Sequence, residues 1–259
     1  LRRREPSLMV QGLVLYLPAA RAKTTCLRLL FLDPAAARYR AFMFDDEGIE
    51  EPVDLRDYGN LDTYLEPHRG LGERLSYRVN GLECTDKKRA AQLSRFRCAD
   101  AADRRNPLYL RNPEAWLESQ VRSHVEEIDA SLVPAPVYGQ VPAFAAADRG
   151  VLDLLAVDRR GRLAVIELKA SEDVHLPLQA LDYWMRVQWH VERREFQAQG
   201  YFPAQELINE PPRLLLVSPV LDIHPSNEQV LRYLSPRIPV ERVGVGLEWR
   251  KELKVMYRS

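Results

Sequence analysis

Asp153, Glu167 and Lys169 are the residues whose types and spacing point most directly to chemistry. They lie in Gly150 to Lys169, GVLDLLAVDRRGRLAVIELK. This stretch reads as two apolar strands, Val151 to Asp158 and Arg162 to Lys169, joined by Arg159-Arg160-Gly161. A three-residue hairpin loop with glycine in the left-handed position fits that joint. Such a loop sets the register: Asp158 faces Arg162 and, counting outward, Asp153 faces Glu167. Side chains alternate along a strand, so Lys169 shares the face of Glu167. Two opposed carboxylates repel, and in strands this apolar they are costly to bury. A divalent cation ligated by both is the simplest compensation.

Asp153, followed on the next strand by Glu167-Leu168-Lys169, resembles the motif of the PD-(D/E)XK nucleases, in particular their RecB-like and NucS-like branch. The resemblance spans Asn112 to His190. Leu152 stands where the motif's proline would precede the aspartate. The resemblance implies that Asp153 and Glu167 bind Mg²⁺ or Mn²⁺, and that Lys169 positions or activates the attacking water. It also implies a glutamate near the metal on the helix before the sheet. Glu118 is the best match, with Glu114 one turn earlier in reserve. Finally, Gln179 and Tyr183 resemble the Gln-x-x-x-Tyr pair that lines the active site or the DNA path in the RecB-like branch. Four residues apart, they share one face of a helix.

Several elements must position these groups. Asn112-Pro113-Glu114 reads as a helix start, with Asn as N-cap and Pro at the first helical position. The helix runs to Asp129, with Leu117, Val121, Val125 and Ile128 as its apolar stripe. Val137 to Phe144 reads as a first core strand, and Pro142 argues for an edge or a strand end. After the hairpin, a helix from Leu176 or Pro177 to Glu192 is expected, capped by Ser171 or Asp173. Trp184 and Trp189 read as packing residues. Arg213 to Pro219 is a buried strand, Ser226 to Leu234 a short helix, and Val240 to Trp249 and Leu253 to Arg258 are strands. The order α-β-β-β-α-β-α-β-β predicts an α/β mixed sheet flanked by helices. The resemblance refines this to a restriction endonuclease-like core.

Ahead of this module, LMVQGLVLYL, TTCLRLLFL and RYRAFMF, within residues 8 to 46, read as strands. The acidic stretch Asp45 to Asp57 reads as a solvated loop, residues 73 to 81 as a strand with a turn, and Asp86 to Arg97 as a short helix. The polar run Ala99 to Asn106 reads as a linker. The expected organisation is a smaller β-rich domain over 1–105 and a nuclease-like domain over 106–259. By analogy the first would bind DNA or make a homodimer.

The chain has 259 residues, with 37 Lys plus Arg against 37 Asp plus Glu, so DNA affinity would have to come from local patches. Cys26, Cys84 and Cys98 form neither a Cys-x-x-Cys pair nor an even set, which fits a reducing cytoplasm. No apolar run reaches the ~18 residues of a membrane span. No Walker-type loop or Gly-x-Gly-x-x-Gly occurs, which argues against nucleotide-driven action. A carboxylate-rich site suits Mg²⁺ or Mn²⁺ better than Zn²⁺. The expected function is therefore metal-dependent hydrolysis of DNA phosphodiesters, an endonuclease of repair or defence. Two rivals stand beside it. One is a catalytically inactive nuclease fold serving nucleic-acid binding or assembly. The other is a structural pairing of Glu167 with Lys169, in which Asp153 finds a basic neighbour instead of a metal.

Overall fold

The computed structural model describes residues 12–36, 38–48, 50–61, 63–65, 67–68, 77–79, 82–84, 112–145 and 148–259. The linker expected at 99–106 and the helix expected at 86–97 lie outside them. The chain divides into two compact units, one of Leu1–Asp62 with Glu228–Ile238, the other of Thr63–Asn227 with Pro239–Ser259.

In the first unit, β1 (Leu13–Pro18) pairs in parallel with β2 (Tyr39–Phe44), and β2 pairs antiparallel with β3 (Glu50–Pro52). Parallel neighbours need a crossover, and α1 (Ala22–Leu29) supplies it. The expected strand TTCLRLLFL is thus largely helix. Ala22, Cys26 and Leu29, spaced by four and three, are buried along one side of α1, a helical period hidden in an apolar run. The acidic stretch is also more ordered than a solvated loop, because Glu50 and Glu51 pair with β2 while their side chains stay exposed.

The second unit is built on a seven-stranded mixed sheet flanked by helices. Its strands are β4 (Thr63–Leu65), β7 (Tyr138–Ala145), β8 (Asp148–Val157), β9 (Leu163–Leu168), β10 (Arg213–Pro219), β11 (Val240–Val245) and β12 (Val255–Arg258), in the order β12-β11-β10-β9-β8-β7-β4. The strands β9, β10 and β11 run parallel and the other pairings are antiparallel. A separate hairpin joins β5 (Tyr77–Val79) to β6 (Leu82–Cys84). The boundary expected at 105/106 therefore differs from the observed division. Thr63–Leu65 pairs with Ala143–Ala145, which draws a strand of the expected N-terminal domain into the large sheet. Pro142 is not on an edge strand, since β7 lies between β8 and β4. It stands one residue beyond Ala143, where the β4 ladder ends, a place that tolerates a missing N–H.

The helix expected from Asn112 to Asp129 forms as α2 (Pro113–Ser123) and α3 (Val125–Ile128), broken at His124. His124 leaves the helical region with φ −140°, and its ring Nδ1 lies 3.1 Å from the Gln120 carbonyl oxygen. Leu117, Val121, Val125 and Ile128 are buried against Leu154, Ala156, Ala164, Ile166, Leu215 and Val217 of one sheet face. The other face, with Leu155, Val157, Val165 and Leu216 buried, is covered by α4 (Leu176–Glu192). Both faces of β9 are therefore closed, and all six of its residues are buried.

The hairpin turn has the expected form. Gly161 sits at φ +86° and its N–H donates to the Asp158 carbonyl at 2.9 Å. Asp158 Oδ1 accepts the Arg160 and Arg162 N–H groups, each at 2.9 Å. A Cβ on Gly161 would lie 1.9 Å from the Glu206 carbonyl oxygen. Gly161→Ala should therefore destabilise the protein by roughly 1–3 kcal/mol or more, read as a lower midpoint of urea unfolding. An unchanged midpoint would mean that this turn does not set the hairpin.

Candidate active site

The β8–β9 ladder pairs Val157 with Leu163, Ala156 with Ala164, Leu155 with Val165 and Leu154 with Ile166. The ladder ends there, and the same register carried one step outward sets Asp153 opposite Glu167, as the loop predicts. Here a side chain takes over from the ladder, as Asp153 Oδ2 accepts the Leu168 N–H at 2.9 Å. Alternation places both carboxyl groups on the sheet face that α4 covers. Glu167 is 0% exposed, and neither of its carboxylate oxygens makes a hydrogen bond of ordinary geometry among the described residues, although the Lys169 ammonium and the Asp153 backbone N–H both pull on it. Burial, with the charge of Asp153 adding to it, pushes the Glu167 carboxyl up to about 9. Burial likewise raises Asp153 to about 6, against the opposing pull of the Leu168 N–H and Lys169. A buried carboxyl held so weakly is rare and costly. Two carboxyls face to face have the donor chemistry of a hard divalent cation.

Lys169 follows the end of β9, its backbone N–H held by the Val217 carbonyl at 3.0 Å. Its ammonium lies 3.5 Å from Glu114 Oε1 and 3.7 Å from Asp173 Oδ2. Burial lowers its pKa, but Glu114, Glu167, Asp153 and Asp173 together outweigh burial and leave it above the usual lysine value. Lys169 is therefore a cation at neutral pH. Asp173 is well anchored for this task. Its Oδ1 accepts the His175 N–H at 2.7 Å and its carbonyl accepts Asn227 Nδ2 at 3.1 Å. The N-cap of α4 is His175, without a side-chain cap bond, so neither Ser171 nor Asp173 caps the helix as expected.

On α2 the structure brings Glu114, not Glu118, to the site. Gly139 pairs with Leu154, so a Cβ on Gly139 would point to the α2 side, where it would lie 3.0 Å from Glu118 Oε1 and 2.9 Å from Arg122 Nη1. Asp153, next to Leu154, points to the opposite face. Glu118 thus packs across the sheet from the two carboxylates. Glu114, one turn earlier, overhangs the end of the sheet and reaches Lys169. The assignment of Glu118 is corrected accordingly, because the angle at which α2 crosses the sheet decides which turn reaches its end.

Gln179 and Tyr183 lie on α4, and Gln179 Nε2 donates to the Tyr183 hydroxyl at 3.5 Å. Tyr183 is buried. Burial raises its hydroxyl pKa, and the charges of Glu167 and Asp153 raise it further. Both side chains therefore belong to the same neighbourhood as the acids. Trp184 is buried and its Nε1 donates to the Pro212 carbonyl at 2.7 Å, the packing role expected of it. Sequence reasoning missed Asp173 as a partner of Lys169. Its spacing of four was the available signal, but in a loop that spacing implies no contact.

No family model matches this chain, and no curated protein matches it in sequence. The site therefore stands on its own geometry. Among the described residues no group of three His, Cys, Asp or Glu side chains is arranged to hold a metal ion. Mg²⁺ does not require one, because it keeps several waters and is commonly held by one or two carboxylates. The buried carboxylate of Glu167 beside Asp153, with no side-chain donor bonded to it, fits such an ion. No helix among the described residues is long and apolar enough to cross a membrane.

Proposed function

We propose that this protein is a metal-dependent DNA endonuclease with a restriction endonuclease-like core, acting in DNA repair or defence. The observation that carries the reading is Glu167, wholly buried beside Asp153, with no side-chain donor bonded to either carboxylate oxygen. Asp153 and Glu167 would hold Mg²⁺ or Mn²⁺. The bound cation supplies Lewis acidity toward the phosphodiester and activates water as the nucleophile. Lys169, kept protonated by its acidic neighbours, balances charge beside the phosphate and orients the attacking water. Glu114 and Asp173 hold that ammonium at the end of the sheet. Tyr183 and Gln179 close the α4 side. The rival, a structural pairing of Glu167 with Lys169, keeps some support, because Lys169 also acts electrostatically on Glu167 and Asp153, but the lysine's ion pairs run to Glu114 and Asp173.

The test is a cleavage assay over labelled single-stranded, duplex, branched and mismatched DNA, with RNA counterparts. The expected result is cleavage of at least one DNA form with Mg²⁺ or Mn²⁺, and none with EDTA. A folded protein that binds DNA but cuts nothing with either cation would favour the inactive binding module.

A further inference from the structure

The strands β9 and β10 run parallel, so the segments that follow them, 169–175 and 220–227, leave the sheet side by side at the end that carries Lys169. Ligands of open α/β sheets bind at this end of the strands. Side-chain contacts join the two segments. Asn227, on the helix Pro225–Leu231, donates from Nδ2 to the Asp173 carbonyl at 3.1 Å. His224 Nε2 lies 3.9 Å from Glu172 Oε1. His224 Nδ1 accepts the Ser226 N–H at 3.0 Å, which leaves the ring proton on Nε2, toward Glu172. These contacts differ in strength. The Glu172 side chain is 55% exposed and that of His224 30%, and pairs so open to water contribute little. Asn227 is 2% exposed, and a hydrogen bond shielded from water is stronger and costlier to break.

Asp173 is thereby held at three points. Asn227 takes its carbonyl, the His175 N–H takes Oδ1 at 2.7 Å, and Oδ2 faces the Lys169 ammonium at 3.7 Å. A lysine ammonium rides on a flexible four-carbon stem and needs such partners to keep one position. Glu114, the other acid on Lys169, is 50% exposed, against 27% for Asp173, so Asp173 is the more firmly placed of the two. Resting on the endonuclease reading, we propose that Asn227 is a positioning residue for cleavage. By holding the Asp173 backbone it places the carboxylate that aims the Lys169 ammonium at the attacking water. Asn227 acts through Asp173 and takes no part in the chemistry itself.

Asn227→Leu keeps the volume and removes the donor. It also removes Asn227 Oδ1, a buried acceptor without a hydrogen-bond partner among the described residues. An apolar group of similar shape in place of a poorly satisfied polar one is close to neutral for stability, so this variant should fold. Asn227→Ala replaces it if leucine does not. The first readout needs no catalysis. Carbon-13 NMR of the lysine ε positions is recorded on the full chain in EDTA, with the Lys169 signal assigned by its loss in Lys169→Arg. That signal should be displaced in Asn227→Leu in the same direction as in Asp173→Ala. The second readout is cleavage with Mg²⁺ or Mn²⁺. In Asn227→Leu kcat should fall about ten- to a hundred-fold with KM unchanged, because a displaced group that acts in the transition state costs rate and not ground-state binding. Asp173→Ala should lose as much, and the double variant no more than either. Glu172→Gln should keep wild-type kcat. An unmoved Lys169 signal in the folded Asn227 variant would overturn the proposal, as would losses that add in the double variant. A lower melting temperature with wild-type kcat would make Asn227 purely structural and overturn it too. A wild type that cuts nothing with either cation would remove the endonuclease reading, and the NMR comparison would then decide by itself whether Asn227 fixes Lys169 through Asp173.

Discussion

Glu167→Gln should melt several degrees higher than the wild type in EDTA at pH 8, and it should cut no DNA. In the folded protein the Glu167 carboxyl holds its proton up to about 9, against an ordinary value of 4.5. Between those values the unfolded chain has released the proton and the folded chain has not, so the folded state binds more protons. Stability then falls as pH rises through that window. The penalty is absent below about 4.5 and complete above about 9. Asp153, raised from 3.8 to about 6, adds a smaller loss at the acid end of the same range. Glutamine cannot ionise and removes the larger penalty, so the advantage of the variant should grow steadily from pH 5 to pH 9. Each kcal/mol recovered is worth about 2–4 °C in a chain of this size. Mg²⁺ or Mn²⁺ should narrow the gap. Wild type should gain about 2.7 kcal/mol at a cation concentration one hundred times the dissociation constant, and Glu167→Gln should gain little. Scanning fluorimetry across pH, with and without cation, reads both effects. A wild type indifferent to saturating Mg²⁺ and Mn²⁺ would sink the metal site.

Lys169→Ala should lose roughly 10²–10⁴-fold in cleavage rate while keeping the cation-dependent rise in melting temperature. Both acids remain in place in this variant, whereas Asp153→Ala and Glu167→Ala should lose cation binding and cleavage together. Lys169→Ala should also lower the melting temperature in EDTA, because the lysine side chain is only 14% exposed and its charge acts on buried Asp153 and Glu167. Glu114→Ala should slow cleavage more than Glu118→Ala, since only Glu114 holds the ammonium. A gel assay paired with calorimetric titration of Mn²⁺ separates the classes. Undiminished cleavage by Lys169→Ala would mean that the third residue of the site lies elsewhere.

The sequence alone determined whatever a short loop or a local period controls. Arg159-Arg160-Gly161 admits one hairpin register, so the facing of Asp153 and Glu167 was legible before any coordinates. The helix from Leu176 to Glu192, the strand from Arg213 to Pro219 and the shared face of Gln179 and Tyr183 follow from the same kind of local rule. Tertiary structure decided the rest. Three residues, Thr63–Leu65, join β7 across about eighty residues of chain, and so short a strand leaves no periodic signal. Ala22–Leu29 is a helix because it must bridge two parallel strands, although its composition reads equally well as β. The choice between Glu114 and Glu118 depends on where α2 overhangs the sheet, a matter of packing angle that helical spacing leaves open. Asp173 meets Lys169 only because Asn227, far along the chain, fixes the intervening loop. The depth of Glu167 is likewise a tertiary fact. Its strand is apolar enough to be buried, but only helices closing over both faces of β9 remove its carboxylate from water.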